Sequence, residues 1–411
     1  MRWYFYIALA AIVSQLVFLT QMYRNYRYAL SKYKRKRSSY QPKVVLIVPC
    51  RGLDQDFTKN ITSLFNQDYK NYLLWFVVAD ESDPAYAELF KLKDSLSQAS
   101  RVQDVRIHVA GRAQSCGQKN HNLLHCYRKI SDDVEVMAFA DSDIRVNSDW
   151  LSYLVHPLRK PKNGVASGYR WFVPQKNNVA TLALSAVNAK IAQLLGNTRF
   201  NQAWGGSMAV RVDVFRQLGI DKIWANSLSD DLSLSTAVKK AGLKVIFVPA
   251  CLVASYESTT WRQLFEFGRR QFLITRVNAP KTWWFGLFSS LYSILGLWAG
   301  AALAIYAAGI ADKNLLFFAA VPILFFISQF IRAVLRQKMA NKLFGYEHRA
   351  TSDERRTMRP ACAADILFFW VWSFLLLFFI ISSVFGRTIR WRGIRYKLLG
   401  PTRTIVLTND P

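Results

Sequence analysis

Twenty residues without a charge, WYFYIALAAIVSQLVFLTQM at positions 3–22, constrain this chain more than any other feature. A helix of about twenty apolar residues matches the hydrocarbon core of a bilayer, so a first spanning helix is expected here. A cleaved signal peptide would have a shorter apolar core and a small-residue cleavage site after it. The next stretch instead reads RNYRYALSKYKRKR, with seven Lys or Arg, and no Asp or Glu precedes Asp54. By the positive-inside rule that flank is cytoplasmic, Met1 faces outward, and the polar middle of the chain lies in the cytosol.

Three more apolar runs lie farther along, at residues 284–310, 315–335 (interrupted by Arg332) and 366–385. The expected organisation is therefore an anchor (1–23), a basic juxtamembrane linker (24–41), a cytosolic domain (42–260), interfacial amphipathic helices (261–282), membrane helices (283–386) and a basic tail (387–411). Three full crossings after the domain would leave the tail outside, although RTIRWRGIRYKL and its continuation hold six basic residues by Arg403. Either one of the three runs is re-entrant or interfacial, or the tail breaks the rule.

A net charge of +27 raises nucleic acid as a partner. The basic residues, however, cluster beside the apolar runs, at 24–37, 332–359 and 387–403, where anionic headgroups attract them. The bilayer is the expected partner and nucleic acid is not. Five scattered cysteines without a CxxC pair suit a reducing compartment. His121, His125 and Cys126 with Cys116 admit zinc, but without paired cysteines buried side chains are the better reading.

Within residues 41–280 the pattern alternates. VVLIVP, LLWFVVAD, VRIHVA and EVMAFAD read as strands, separated by helical segments such as the one placing Phe57, Ile61, Leu64 and Phe65 on one face. This is a βαβα order with a mostly parallel sheet, and in such sheets ligands sit beyond the carboxyl ends of the strands. Pro49, Asp80 and Asp141 fall there. Farther on, GVASGYRWFVP reads as a strand, residues 178–195 as a helix, QAWGGSMAVRVDVF as a turn into a strand, and SLSDDLSLSTAVKKAGLKVIFVP as a capped helix followed by a strand.

Each candidate site residue carries two readings. Asp141 and Asp143, alternate residues at a strand end, can reach one hard cation, or can simply bond the backbone of a polar turn. Asp80 can accept hydrogen bonds from a base or ribose, or belong to a solvated turn with Glu81 and Asp83. Lys119 and Asn120 come after a glycine at a helix start, where a phosphate or uracil carbonyl would be welcome, or no ligand at all. Asp230 and Asp231 complement a helix dipole, or one serves as general base. Arg269, Arg270 and Gln271, in WRQLFEFGRRQFLITR, anchor an interfacial helix or hold a leaving diphosphate.

Taken in order, P-C-R-G-L-D, N-I-T-S-L-F-N-Q-D-Y, A-D-E-S-D-P-A, G-Q-K-N, F-A-D-S-D-I-R-V, G-G-S-M-A-V-R, S-D-D-L-S-L, R-R-Q-F and I-R-W-R-G-I-R-Y-K-L span nearly the whole chain. The set resembles the membrane-bound, family-2-type glycosyltransferases, and among them the ceramide glucosyltransferases and their bacterial relatives. That resemblance implies a GT-A nucleotide-diphospho-sugar domain, Rossmann-like with a mixed sheet, joined to transmembrane α-helices. It further implies inverting transfer of a hexose from a UDP-sugar to a membrane lipid, with Mg²⁺ or Mn²⁺, in a bacterial inner membrane or a eukaryotic Golgi or ER. Asp80 would touch uridine, Lys119 and Asn120 the nucleotide, and Asp141 with Asp143 the metal. Asp231 would be the base beside Asp230, Gly205 and Gly206 would lie on the acceptor side, and Arg269, Arg270 and Gln271 would occupy the place of the family's Gln-x-x-Arg-Trp motif. Processive polysaccharide synthesis, another lipid acceptor, and nucleotide-sugar binding without turnover are the alternatives.

Overall fold

The structure, a computed structural model, describes residues 2–33, 39–344 and 352–407. After the long helix α1 (Arg2–Lys32) come β1 (Val44–Pro49), α2 (Phe57–Phe65), β2 (Tyr72–Val78), α3 (Pro84–Leu96), β3 (Asp104–Val109), α4 (Gln118–Tyr127) and β4 (Val136–Ala140). The domain continues through α5 (Trp150–Val155), β5 (Asn163–Pro174), α6 (Val179–Ala192), β6 (Ser207–Arg211), α7 (Val212–Gln217), α8 (Ile220–Trp224), α9 (Asp230–Lys240) and β7 (Lys244–Glu257).

These strands form one seven-stranded sheet in the order β3-β2-β1-β4-β6-β5-β7. The first four are parallel, β6 runs antiparallel to both β4 and β5, and β7 is parallel to β5. This is the mixed α/β sheet that the GT-A expectation requires. β1, β2 and β4 are buried along almost their whole length, as their unbroken apolar runs demand of strands covered on both faces. Alternation divides them between two cores: Leu46, Val48 and Phe76 pack with Phe65 and Trp150 on one face, and Val45, Ile47, Trp75 and Phe139 with Phe215 and Trp224 on the other. β7 extends well beyond the expected KVIFVP, because after a shift in register Leu252–Glu257 continue the pairing with Tyr169–Pro174 of β5.

From the domain, α10 (Trp261–Asn278) begins at a capping box made by Thr260 and Gln263. α11 (Pro280–Ile294) and α12 (Gly300–Gly309) join through one π turn into a continuous apolar segment, and α13 (Leu315–Leu343) returns antiparallel to it. Among the described residues, Tyr4–Lys32, Pro280–Gly309 and Leu315–Leu343 are single helices long and apolar enough to cross a membrane. The last apolar run is broken: α14 (Ser352–Leu367) and α15 (Val371–Ser382) meet at 89°. α15 lies along α10 and the start of α11, where Trp283 donates to Ser383 at 2.9 Å and Arg276 donates to the carbonyls of Val384 and Gly386.

The chain thus comes back to the domain. Residues expected as a basic tail fold into a three-stranded antiparallel sheet, β8 (Thr388–Trp391), β9 (Ile394–Gly400) and β10 (Arg403–Leu407). Thr404 donates to the Asn226 carbonyl at 3.1 Å, and Ile389, Tyr396 and Leu398 pack with Leu228, Leu273 and Ile274. Tail and domain are therefore in direct contact. The bend in the last apolar run is that of a broken span or of a re-entrant turn.

Candidate active site

The first turns of α4 and α9 meet at the carboxyl end of β4. Lys119, in the first turn of α4, places Nζ 2.7 Å from Asp141 Oδ1 and 3.0 Å from Asp230 Oδ2. Burial works against the lysine's charge, but the two carboxylates more than compensate and raise its pKa above the usual lysine range. Asp141 is itself pushed up by burial, yet Lys119 holds it below the ordinary carboxylate value. Asp230 goes the other way, up to about 6, through burial and the nearby charges of Asp231 and Asp141. Lys119 is therefore not a free cation awaiting a phosphate. Its ammonium ties the strand-end acid to the helix-start acid.

Asp143 points elsewhere. Its Oδ1 is buried with no hydrogen-bond donor, and Arg170 Nη1 stands 3.9 Å from Oδ2. Burial and the charge of Asp141 raise the pKa of Asp143, and burial with the charge of Asp143 lifts Glu257 at the end of β7 to about 7. A buried carboxylate oxygen without a donor, among mutually repelling acids, fits a hard divalent cation. Among the described residues no three His, Cys, Asp or Glu side chains converge as a complete ligand set. Such an ion would complete its shell with water or substrate phosphate, as Mg²⁺ commonly does.

Asp231 is more open than Asp230. Its Oδ1 accepts from Ser229 Oγ at 2.6 Å and from the Leu232 amide at 2.7 Å, and its Oδ2 accepts from the Gly205 amide at 3.1 Å. Ser229 caps α9 through the Leu232 amide. Gly205 and Gly206 serve the acids rather than standing apart from them. A Cβ on Gly205 would lie 2.2 Å from Asp230 Oδ2, and one on Gly206 would lie 2.2 Å from the Trp204 ring and 2.6 Å from Asp141 Oδ2.

The other expected residues separate into different tasks. Asp80 stays exposed at the end of β2, its carboxyl held below the usual range by hydrogen bonds from the Ser82 amide and hydroxyl. Its neighbour Asp83 is not a solvated turn residue: it caps α3 through the Ala85 amide and holds the Gly52 amide at 2.8 Å. Asn120 is buried and its Nδ2 donates to the Ser227 carbonyl, which supports the loop before α9. Arg269 is taken up by the carbonyls of Phe385 and Thr388, so it fastens the returning chain. Arg270, next in sequence, turns the other way. Its guanidinium lies 5.9 Å from the Trp391 ring centroid, its Nε is buried without a partner, and its pKa falls to about 10 through burial and the nearby charges of Arg170 and Arg392. The Gln271 carbonyl accepts from Thr275 within α10.

The sequence model of glycosyl transferase family 21 matches residues 3–404. This chain belongs to family 21. Two solved structures are similar to this family 21 protein. One is the mannosyltransferase PcManGT from Pyrobaculum calidifontis in complex with GDP-Man and Mn²⁺, at 14% identity, covering 92% of this chain and 97% of that one with a TM-score of 0.46. The other is GalNAc-T7 with UDP, GalNAc and Mn²⁺, at 12% identity, covering 62% of this chain and 51% of that one with a TM-score of 0.39.

Four residues of this family 21 site escaped the sequence reading: Asp54, Arg170, Glu257 and Arg392. Asp54 accepts from Ser142 Oγ at 2.7 Å, which ties the loop after β1 to the middle residue of the Asp-Ser-Asp turn. Arg170 lies 5.1 Å from the Trp204 ring centroid. The available signals were faint but real. Arg170 is a charge inside an otherwise apolar strand, and Glu257 is the one acid between Asp231 and Glu266.

Proposed function

We propose that this family 21 glycosyltransferase moves a hexose, glucose in the first instance, from a UDP-sugar to the hydroxyl of a membrane lipid such as ceramide, with inversion. The observation that supports the lipid acceptor is where the Ser-Asp-Asp turn lies. Leu228 and Leu232, on either side of it, pack on Leu273 and Ile274 of α10, the last helix before the first span of the C-terminal half. A hydroxyl presented at the bilayer surface would meet the Asp231 carboxylate there.

In this reading Asp231, oriented by its three donors, takes the acceptor proton as the hydroxyl oxygen attacks the anomeric carbon. The bond from that carbon to the phosphate oxygen breaks on the opposite side, and its electron pair leaves with UDP. Asp143 with Asp141 would hold Mg²⁺ or Mn²⁺, which when bound would supply Lewis-acid neutralisation for the departing diphosphate. Lys119 keeps Asp141 and Asp230 paired so that their charges do not oppose the donor. Arg170 and Arg270 offer fixed positive charge to the leaving group. Asp80 reads the uridine.

The test is a transfer assay on membranes holding the full chain, with labelled UDP-sugars and mixed lipid extract, with and without EDTA. A labelled lipid is expected, lost on chelation and in Asp231→Asn. Unchanged product in that variant overturns the base, and absence of product with every donor and acceptor favours binding without turnover.

A further inference from the structure

The C-terminal sheet brings a charged side chain back to the acids at the other end of the domain. β8 and β9 form a hairpin in which Trp391 pairs with Ile394, leaving Arg392 and Gly393 as a two-residue loop. Both have positive φ, 47° and 80°. A turn of this kind favours Asn or Asp before the glycine, because a side chain with a longer stem is crowded in the left-handed region. Here the position holds arginine. The guanidinium donates to the Arg51 carbonyl at 2.9 Å and stands 2.8 Å from Asp54 Oδ1, and Asp54 is the acid bonded to Ser142 between Asp141 and Asp143.

Two further observations indicate what this arginine awaits. Its side chain remains 39% exposed although its charge is fixed against Asp54. Besides burial, Arg170 from β5 and Arg392 itself disfavour charge on Arg270 from α10, and the buried Nε of Arg270 has no hydrogen-bond partner among the described residues. Acids already face two of the three guanidiniums, Asp54 beside Arg392 and Asp143 beside Arg170, so a phosphate would add compensation for Arg270 above all. The planar fork of arginine matches phosphate oxygens in pairs.

We propose that Arg392, delivered by the C-terminal hairpin, is a substrate-binding cation that grips the outer phosphate of a nucleoside diphosphate together with Arg270. This rests on the donor class proposed above and adds to it a ligand from the tail. The hairpin forms one wall of the donor site: Trp391 lies over Arg270, and Tyr396 Oη accepts from the Gln118 amide at the start of α4, at 3.3 Å. The amino end of α4, which the sequence offers to a phosphate, is covered by the tail, and the tail supplies its own cation in exchange.

The experiment measures binding of UDP, UMP, GDP and GMP with Mn²⁺ to the full chain in lipid nanodiscs, for wild type, Arg392→Gln, Arg392→Lys and Arg390→Gln. Arg390 is exposed on the same hairpin and serves as the control. For whichever diphosphate the wild type binds, Arg392→Gln is expected to lose about tenfold or more in affinity, the scale of a charged hydrogen bond. The matching monophosphate and the Arg390 variant should stay unchanged, and Arg392→Lys should fall between. Equal loss for diphosphate and monophosphate overturns the proposal in favour of a merely structural hairpin, as does undiminished diphosphate binding. Should Arg392→Gln fail to fold, the same comparison in Arg392→Lys decides. A wild type that binds no nucleoside diphosphate overturns the donor reading itself, a result distinct from a failure of Arg392 alone.

Discussion

Lys119 Nζ stands 3.0 Å from Asp230 Oδ2, and through that contact the first turn of α4 is fastened to the first turn of α9. The same ammonium holds Asp141, so one buried cation serves two carboxylates. Lys119→Met leaves both buried without a counter-charge. Breaking one partner out of such a pair costs about 3–5 kcal/mol, and a clear fall in the thermal unfolding midpoint in detergent is the expected result. An unshifted midpoint would show that the acids find other support.

Gly205→Ala forces a methyl to within 2.2 Å of Asp230 Oδ2 and 2.7 Å of Lys119 Nζ, so the acids must move. Displacements of this size in a catalytic array cost on the order of a hundredfold in turnover. Gly286→Ala, whose new methyl meets nothing nearer than 3.5 Å, should leave activity intact. Steady-state rates for the two variants, measured side by side, distinguish a site effect from a general intolerance of alanine.

His108 gives a signature in acid. It packs against the Trp75 and His125 rings, and burial, with Lys129, His125 and Arg106, lowers its pKa to about 4. Between that value and the unfolded imidazole's value of about 6.5 the unfolded chain binds the extra proton. Stability from this group is complete above the higher value and is lost as pH falls towards the lower. Unfolding midpoints across that window should decline less steeply in His108→Gln than in wild type.

Arg336 and Asp365 form a buried ion pair between α13 and α14, to which Gln337 adds a hydrogen bond at 2.6 Å. Asp365→Leu strands the guanidinium and should destabilise by about 3–5 kcal/mol, whereas adding Arg336→Met should recover much of the loss. The readout is thermal unfolding of single and double variants. A double variant no better than the single one contradicts this account.

Sidedness is open to chemical labelling. A topology of three crossing helices with an interfacial last run would place Lys313, between α12 and α13, and Lys397, in β9, on opposite faces of the bilayer. In a Cys362→Ser background, Lys313→Cys and Lys397→Cys should react with an impermeant thiol reagent from opposite sides of sealed vesicles. Reaction of both from the same side would require a fourth crossing.

The parts of the fold governed by local chemistry were legible. Val44–Pro49 is too apolar and β-branched to be anything but a buried strand, and the spacing of Phe57, Ile61, Leu64 and Phe65 admits one helical face. Asp141 and Asp143 were visible as a pair, but their separation into an acid held by Lys119 and an acid with an orphan oxygen depends on how α4 packs against the end of β4. Arg269 and Arg270 look interchangeable in sequence; on a helix adjacent side chains diverge by about 100°, so one fastens the tail through carbonyls and the other lies against the Phe267 and Trp391 rings. The break in the last apolar run lies within uniformly apolar residues, where hydropathy carries no record of a bend. The hairpin did leave a trace, an arginine before a glycine between alternating residues, but its destination is set by tertiary contact.

The proposed donor wall comes late in the chain. The hairpin follows α11 to α15 in sequence and is synthesised after them, whereas the domain's seven strands can pair once synthesis has passed β7. On the proposal made above, a chain whose late helices are wrongly placed carries the acids but an open wall. Completion of the site would then report on membrane integration.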